Sequence, residues 1–97
     1  VTQIGNDNGK AFSQGTVIEQ TGDFNLARSV TMGDENSVRL YQTGSLNDVD
    51  LTQTGNLNTA VMDQSGTSNA ADILQSGDGN IYQGIQTGTG NYAYVSQ

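Results

Sequence analysis

The sequence predicts an all-β fold: a parallel β-solenoid or stack of β-arches with 22 residues per coil, two 11-residue strand-and-arc units to a coil, able to continue as an in-register cross-β fibre. Three observations predict it. Gln20, Gln42, Gln53, Gln64, Gln75, Gln86 and Gln97 recur at multiples of 11, with Thr31 in the one gap. Two residues after each mark up to position 86 stands a glycine (Gly22, Gly33, Gly44, Gly55, Gly66, Gly77, Gly88), and five after it an asparagine (Asn25, Asn36, Asn47, Asn58, Asn69, Asn80, Asn91). The positions seven and nine after the mark are mainly apolar, as in Val49 and Leu51, Ala60 and Met62, or Ala71 and Ile73. Apolar residues thus keep to spacings of 2 and 11 rather than the 3 and 4 of a helix, and no helix is expected.

Each unit divides into strand and arc. A strand sends alternate residues to opposite faces, so Asn-x-Ala/Val-x-Leu/Ile/Met/Val-x-Gln reads as a strand whose odd positions share one face, which becomes the core. The expected strands are 25–31, 36–42, 47–53, 58–64, 69–75, 80–86 and 91–97. The remaining x-Gly-x-x opens on Thr or Ser in every unit except the one at Met32 and carries turn chemistry that permits positive φ. A seven-residue strand spans ~23 Å, so each arc must reverse direction to keep the molecule compact. Successive units then face each other, and units 22 apart stack in parallel at ~4.8 Å.

Residues 20–97 are expected to form this solenoid, and residues 1–19 an irregular N-terminal unit or cap. Gln3, Gly5 and Asn8 copy the motif, but Gln3 lies 17 residues before Gln20 rather than 11 or 22. Ile18, Thr16 and Gln14 continue the inward parity toward Phe12 and Lys10. Two readings follow: one unit has lost its arc, or residues 8–20 form one long or bent strand.

Inward Asn and Gln need a reason, because a buried amide without partners costs several kcal/mol. Stacking supplies one. Identical amides one coil apart can donate N–H to C=O along the axis, forming ladders that also penalise any slip of register. The plainer alternative is that Asn only shapes turns, with no polymer implied. The strand edges favour the polymer: a soluble solenoid covers its ends with atypical polar caps, whereas Asn91 to Gln97 is a full motif strand with Tyr92 and Tyr94 on its outer face. That edge is expected to recruit a second copy head to tail, against the region from Phe12 to Gln20.

Composition narrows the chemistry. Without Cys or His there is no disulfide scaffold, thiolate nucleophile or usual general base, so no enzyme is expected, and no cofactor or metal. The net charge is −7, and all three basic residues (Lys10, Arg28, Arg39) precede position 40, which disfavours nucleic acid as a partner. No apolar run approaches the ~18 residues of a membrane span, so no membrane insertion is expected. The chain begins at Val1 and reads as a mature or trimmed product, consistent with removal of a secretory signal.

The motif Gln53-Thr-Gly55-Asn-Leu-Asn58-Thr-Ala60-Val-Met-Asp-Gln64, with Gln86-Thr-Gly88-Thr-Gly-Asn91-Tyr-Ala93-Tyr-Val-Ser-Gln97, resembles the curlin repeat. The resemblance implies a subunit of curli fibres, major or nucleating. Such subunits are secreted unfolded across the outer membrane, nucleated at the cell surface by partner proteins, and assembled into an adhesive biofilm matrix. It departs from the family pattern at Thr31-Met-Gly33-Asp-Glu-Asn36, which lacks the Gln.

Other secreted solenoids weigh less. Calcium-binding nonapeptide rolls need Gly-Gly-x-Gly-x-Asp at a spacing of nine. An ice-binding solenoid would suit Thr43, Thr54 and Thr87, but each is followed by an arc glycine, so no flat Thr-x-Thr array results. A soluble adhesin module is the remaining alternative.

Overall fold

Alternation of inward and outward side chains builds ten strands. The computed structural model describes the backbone of residues 2–4 and 9–11 and all of residues 15–97. Its strands are β1 (Thr2–Ile4), β2 (Gly9–Ala11), β3 (Thr16–Thr21), β4 (Leu26–Met32), β5 (Ser37–Ser45), β6 (Asp48–Thr54), β7 (Thr59–Thr67), β8 (Ala70–Ser76), β9 (Ile81–Thr89) and β10 (Tyr92–Ser96). No helix occurs among the described residues. The strands form two five-stranded sheets, ordered β1-β3-β5-β7-β9 and β10-β8-β6-β4-β2. Consecutive strands therefore alternate between sheets, and each coil contributes one strand to each.

Every pairing is parallel, and from β3 onward partners are 22 residues apart: Gln20 lies beside Gln42, Gln42 beside Gln64, and Gln53 beside Gln75. The strands begin one residue later than the sequence suggests. β5, β7 and β9 also run on through Gly44, Gly66 and Gly88, which stay in register as neighbours. Asn stands just before each strand because its side chain is committed to the arc, as described below.

At the N-terminus the first arc keeps its length, since Gln3 pairs with Gln20 and Lys10 with Ala27. Both offsets are 17 rather than 22, so the five missing residues fall between β2 and β3. Residues 8–20 are thus not one long strand: β2 and β3 lie in opposite sheets. The segment Thr16–Gln20 is not an outer edge either, because β1 covers β3. Gly5, Asn8, Phe12 and Gln14 fall outside the described residues.

The core is thin and regular. Ile18, Val38, Leu40, Ala60 and Met62 from one sheet meet Ala27, Val49, Leu51, Ala71 and Ile73 from the other, all buried. The last coil reverses the order of small and large residues. Tyr82 takes the usual Ala or Val position and folds over Gly84, its hydroxyl lying where a Cβ on Gly84 would sit and 3.8 Å from Met62 Sδ. Exchanging the pair this way keeps roughly the same volume inside, and burial pushes the Tyr82 phenol above its ordinary pKa.

Each arc turns on two residues with positive φ. The first is the expected glycine, as at Gly44 (112°). The second, four residues after the mark, is glycine only at Gly79 and Gly90; Phe24, Glu35, Leu46, Leu57 and Ser68 hold φ of 57–59° there. A left-handed non-glycine residue costs about 1–2 kcal/mol, which the stacked coils offset.

Candidate functional site

The site is the system of internal amides, together with the sheet edges at which it ends. Each Gln stands at the last inward position of its strand, close to the opposite sheet, and its Nε2 donates twice. One bond crosses the core to a backbone carbonyl, as from Gln42 to Leu26 O (2.8 Å), Gln64 to Asp48 O (3.1 Å) and Gln75 to Thr59 O (3.1 Å). The other runs along the axis to the next Gln. In one sheet the ladder is Gln20→Gln42 (2.8 Å), Gln42→Gln64 (3.1 Å) and Gln64→Gln86 (2.7 Å). In the other it is Gln53→Gln75 (2.7 Å) and Gln75→Gln97 (2.9 Å). Every axial Gln donor therefore points toward the C-terminal coil.

The Asn side chains point their polarity the other way. Each Oδ1 accepts the backbone N–H of the Asn one coil on: Asn47 to Asn25 (3.1 Å), Asn69 to Asn47 (3.1 Å), Asn58 to Asn36 (3.0 Å) and Asn80 to Asn58 (3.0 Å). The Nδ2 groups staple the arcs, as Asn47 does to Gly66 O (3.1 Å) and Thr43 O (3.3 Å). In the column Asn25-Asn47-Asn69-Asn91, Nδ2 also reaches the Oδ1 below at 3.0–3.1 Å. Asn is thus more than a rung of an amide ladder. Its short side chain needs both an acceptor and a donor at the arc, which neither Asp nor Ala supplies.

Burial follows position in the stack. Gln20, Gln42, Gln53, Gln64, Gln75, Asn25, Asn47, Asn58 and Asn69 are buried, whereas Asn36, Asn80 and Gln86 are half-buried and Asn91 and Gln97 exposed. The last of these sit at β9 and β10, the outer strands of their sheets. Of the arc glycines, Gly22, Gly44, Gly66 and Gly88 share one column and Gly33, Gly55 and Gly77 the other, each packed so that a Cβ on a lower member would strike the carbonyl above it.

The Thr31 gap has a structural consequence. Thr31 lies beside Gln53 in the register, where the pattern calls for an Nε2 donor. Gln53 Oε1 is left buried without a hydrogen-bond partner. The same coil is poor in apolar volume, because Ser29 occupies a position held by Leu51 and Ile73 in the coils above and is instead 3.2 Å from the Thr16 hydroxyl.

Outside the core, Asp48 Oδ1 is also buried and unpartnered. Burial raises the Asp48 pKa above its usual 3.8; Arg28 draws it back and Asp50 adds to the rise. A raised carboxyl pKa means that the fold holds the proton more tightly than the unfolded chain does. The stabilising contribution is complete below the ordinary pKa and is lost as pH rises through the raised one. Asp48→Asn is therefore expected to raise the urea midpoint at pH 7 and leave it nearly unchanged at pH 3. A lower midpoint at pH 7 would contradict the assignment. Among the described residues no group of three or more His, Cys, Asp or Glu is placed to hold a metal ion.

A parallel two-sheet solenoid threaded by amide ladders of fixed polarity, with a strand edge at each end, defines a repeat scaffold whose chemistry is stacking. The family model of the curlin associated repeat matches residues 33–66 and 55–81, beginning just past the Thr31 gap, and the chain belongs to this structural family. No curated protein matches the chain.

Proposed function

We propose that this chain is a structural subunit of an extracellular, curli-like functional-amyloid fibre, self-assembling head to tail and serving biofilm matrix and adhesion. The observation that carries the reading is ladder polarity at the strand edges. At the β9/β10 edge Gln86 and Gln97 stand at the donor end of their ladders, while every Gln oxygen faces the opposite end. Only an end-to-end contact between unlike edges continues both the Gln and the Asn ladders, and such a non-closing contact gives a filament rather than a ring. Family membership supports export to the cell surface and partners for secretion and nucleation. The excess of acidic residues argues against nucleic acid.

Purified chain at micromolar concentration is expected to form fibres with reflections at ~4.8 Å along the axis and ~10 Å across it. Tyr94→Pro, which fixes φ and removes a donor within β10, should suppress elongation. A folded monomer that stays soluble for days would overturn the fibre reading and favour a soluble solenoid such as an adhesin module or ice-binding protein.

A further inference from the structure

Resting on the fibre reading above, the geometry points to strand replacement as the mode of joining: the last coil of one copy, β9–β10, displaces β3–β4 of the next and seats directly on its β5 and β6. The argument begins from the orphaned Gln53 Oε1. β6 presents Asn47, Val49, Leu51 and Gln53 on its inner parity, and β4 offers Asn25, Ala27, Ser29 and Thr31 against them. β10 belongs to the same sheet and offers Asn91, Ala93, Val95 and Gln97 in the same order. The two strands are equivalent at the first two positions. At the third, β10 sets Val95 where β4 sets a buried serine against Leu51. At the fourth, Gln97 carries the donor that Thr31 cannot place in the ladder.

Polarity agrees. Axial Gln donors point toward the C-terminal coil, so Gln97 of an incoming copy directs its Nε2 at Gln53 Oε1, as Gln53 does at Gln75 within one copy (2.7 Å). In the other sheet Gln86 takes over the bond that Gln20 makes to Gln42 (2.8 Å). The exchange gives up the Ile18 packing and the Arg28–Asp50 ion pair (3.0 Å), whose side chains are about half exposed and whose contribution is small. Parallel pairing is retained throughout, since all the displaced and incoming strands run the same way.

Two measurements test this. Thr31→Gln restores the missing donor to β4, so the resident strand should resist displacement and the elongation rate should fall about tenfold, while the fibre diffraction is unchanged. Elongation that is unchanged or faster overturns the proposal. The second measurement reads register by disulfide trapping, which has a clean background because the chain lacks cysteine. Strand replacement places Ser96 of one copy beside Thr52 of the next, whereas simple stacking of β10 on an undisturbed β2 places Tyr94 beside Ala11. Neighbouring strands at ~4.8 Å fall within disulfide reach. Mixed fibres of Ser96→Cys with Thr52→Cys are expected to cross-link, and those of Tyr94→Cys with Ala11→Cys are not. The reverse pattern sinks strand replacement and leaves the fibre subunit standing; absence of fibres sinks both.

Discussion

Gln64→Ala is expected to remove about 4 kcal/mol of stability, combining the cavity cost of a large-to-small core change with that of buried groups left unpaired. Gln64 is fully buried in the middle of its ladder. Its Oε1 accepts from Gln42 Nε2, and its Nε2 donates to Asp48 O and to Gln86 Oε1. Alanine leaves an inward N–H of Gln42 and the inward oxygen of Gln86 without these partners, and it opens a void between two coils. A domain of this size has only about 5–10 kcal/mol in total, so the variant should be largely unfolded at modest urea and slow to nucleate fibres. Thr59→Ala is the control. Its side chain faces outward, and the carbonyl that Gln75 uses belongs to the backbone, which alanine keeps; a change under about 0.5 kcal/mol is expected. Equal urea midpoints for the two variants would refute the view that the amide ladders hold the coils together.

The architecture was legible because every unit repeats one solution. Parity assigned the inward face, and the 22-residue spacing assigned which strands are neighbours, since any other register would set Asn against Leu. Departures from the repeat were harder to read. The N-terminal offset was visible in Gln3 and Gln20, but the sequence alone left open where the residues were lost; only the pairing of Lys10 with Ala27 places the deletion after β2. The second left-handed position of the arc escaped notice because its occupants include Phe24 and Leu57, residues that normally avoid that conformation. Stacking overrode local preference there. Asn was expected to pair with Asn along the axis, yet its most regular bonds go to backbone groups of the arc. Its side chain is one methylene shorter than that of Gln, which keeps it at the turn while Gln reaches across the core.

Thr31 was marked in the sequence as a gap, but its effect lies one coil away, at Gln53. That displacement follows from ladder polarity, which a list of positions does not contain. Tyr82 and Gly84 behave similarly. Singly each looks like a lapse from the pattern; together they preserve the packed volume of the coil, with the phenol ring filling what the glycine vacates.

Gly55→Ala is expected to be the most damaging single-methyl change in the solenoid, costing about 3 kcal/mol or more and broadening the unfolding transition. Gly55 has φ of 114°, a region that L side chains rarely adopt. A Cβ there would also strike the backbone carbonyl of Gly77, one coil above. That obstacle cannot rotate away as a side chain could, so the arcs must move apart. Moving them loosens the Gly55 N–H bond to Met32 O (2.9 Å), the Gly77 N–H bond to Thr54 O (2.9 Å) and the Asn36 Nδ2 bond to Gly55 O (2.8 Å). Gly79→Ala separates conformational strain from collision. Gly79 has φ of 71°, nothing lies within 4 Å of a Cβ built on it, and Leu57 holds nearly the same conformation one coil below. It should cost only about 1 kcal/mol. Urea titrations of the two variants followed by circular dichroism give the comparison. If Gly79→Ala proved as harmful as Gly55→Ala, backbone strain alone would account for the arc glycines, and close axial contact between coils would not be what selects them.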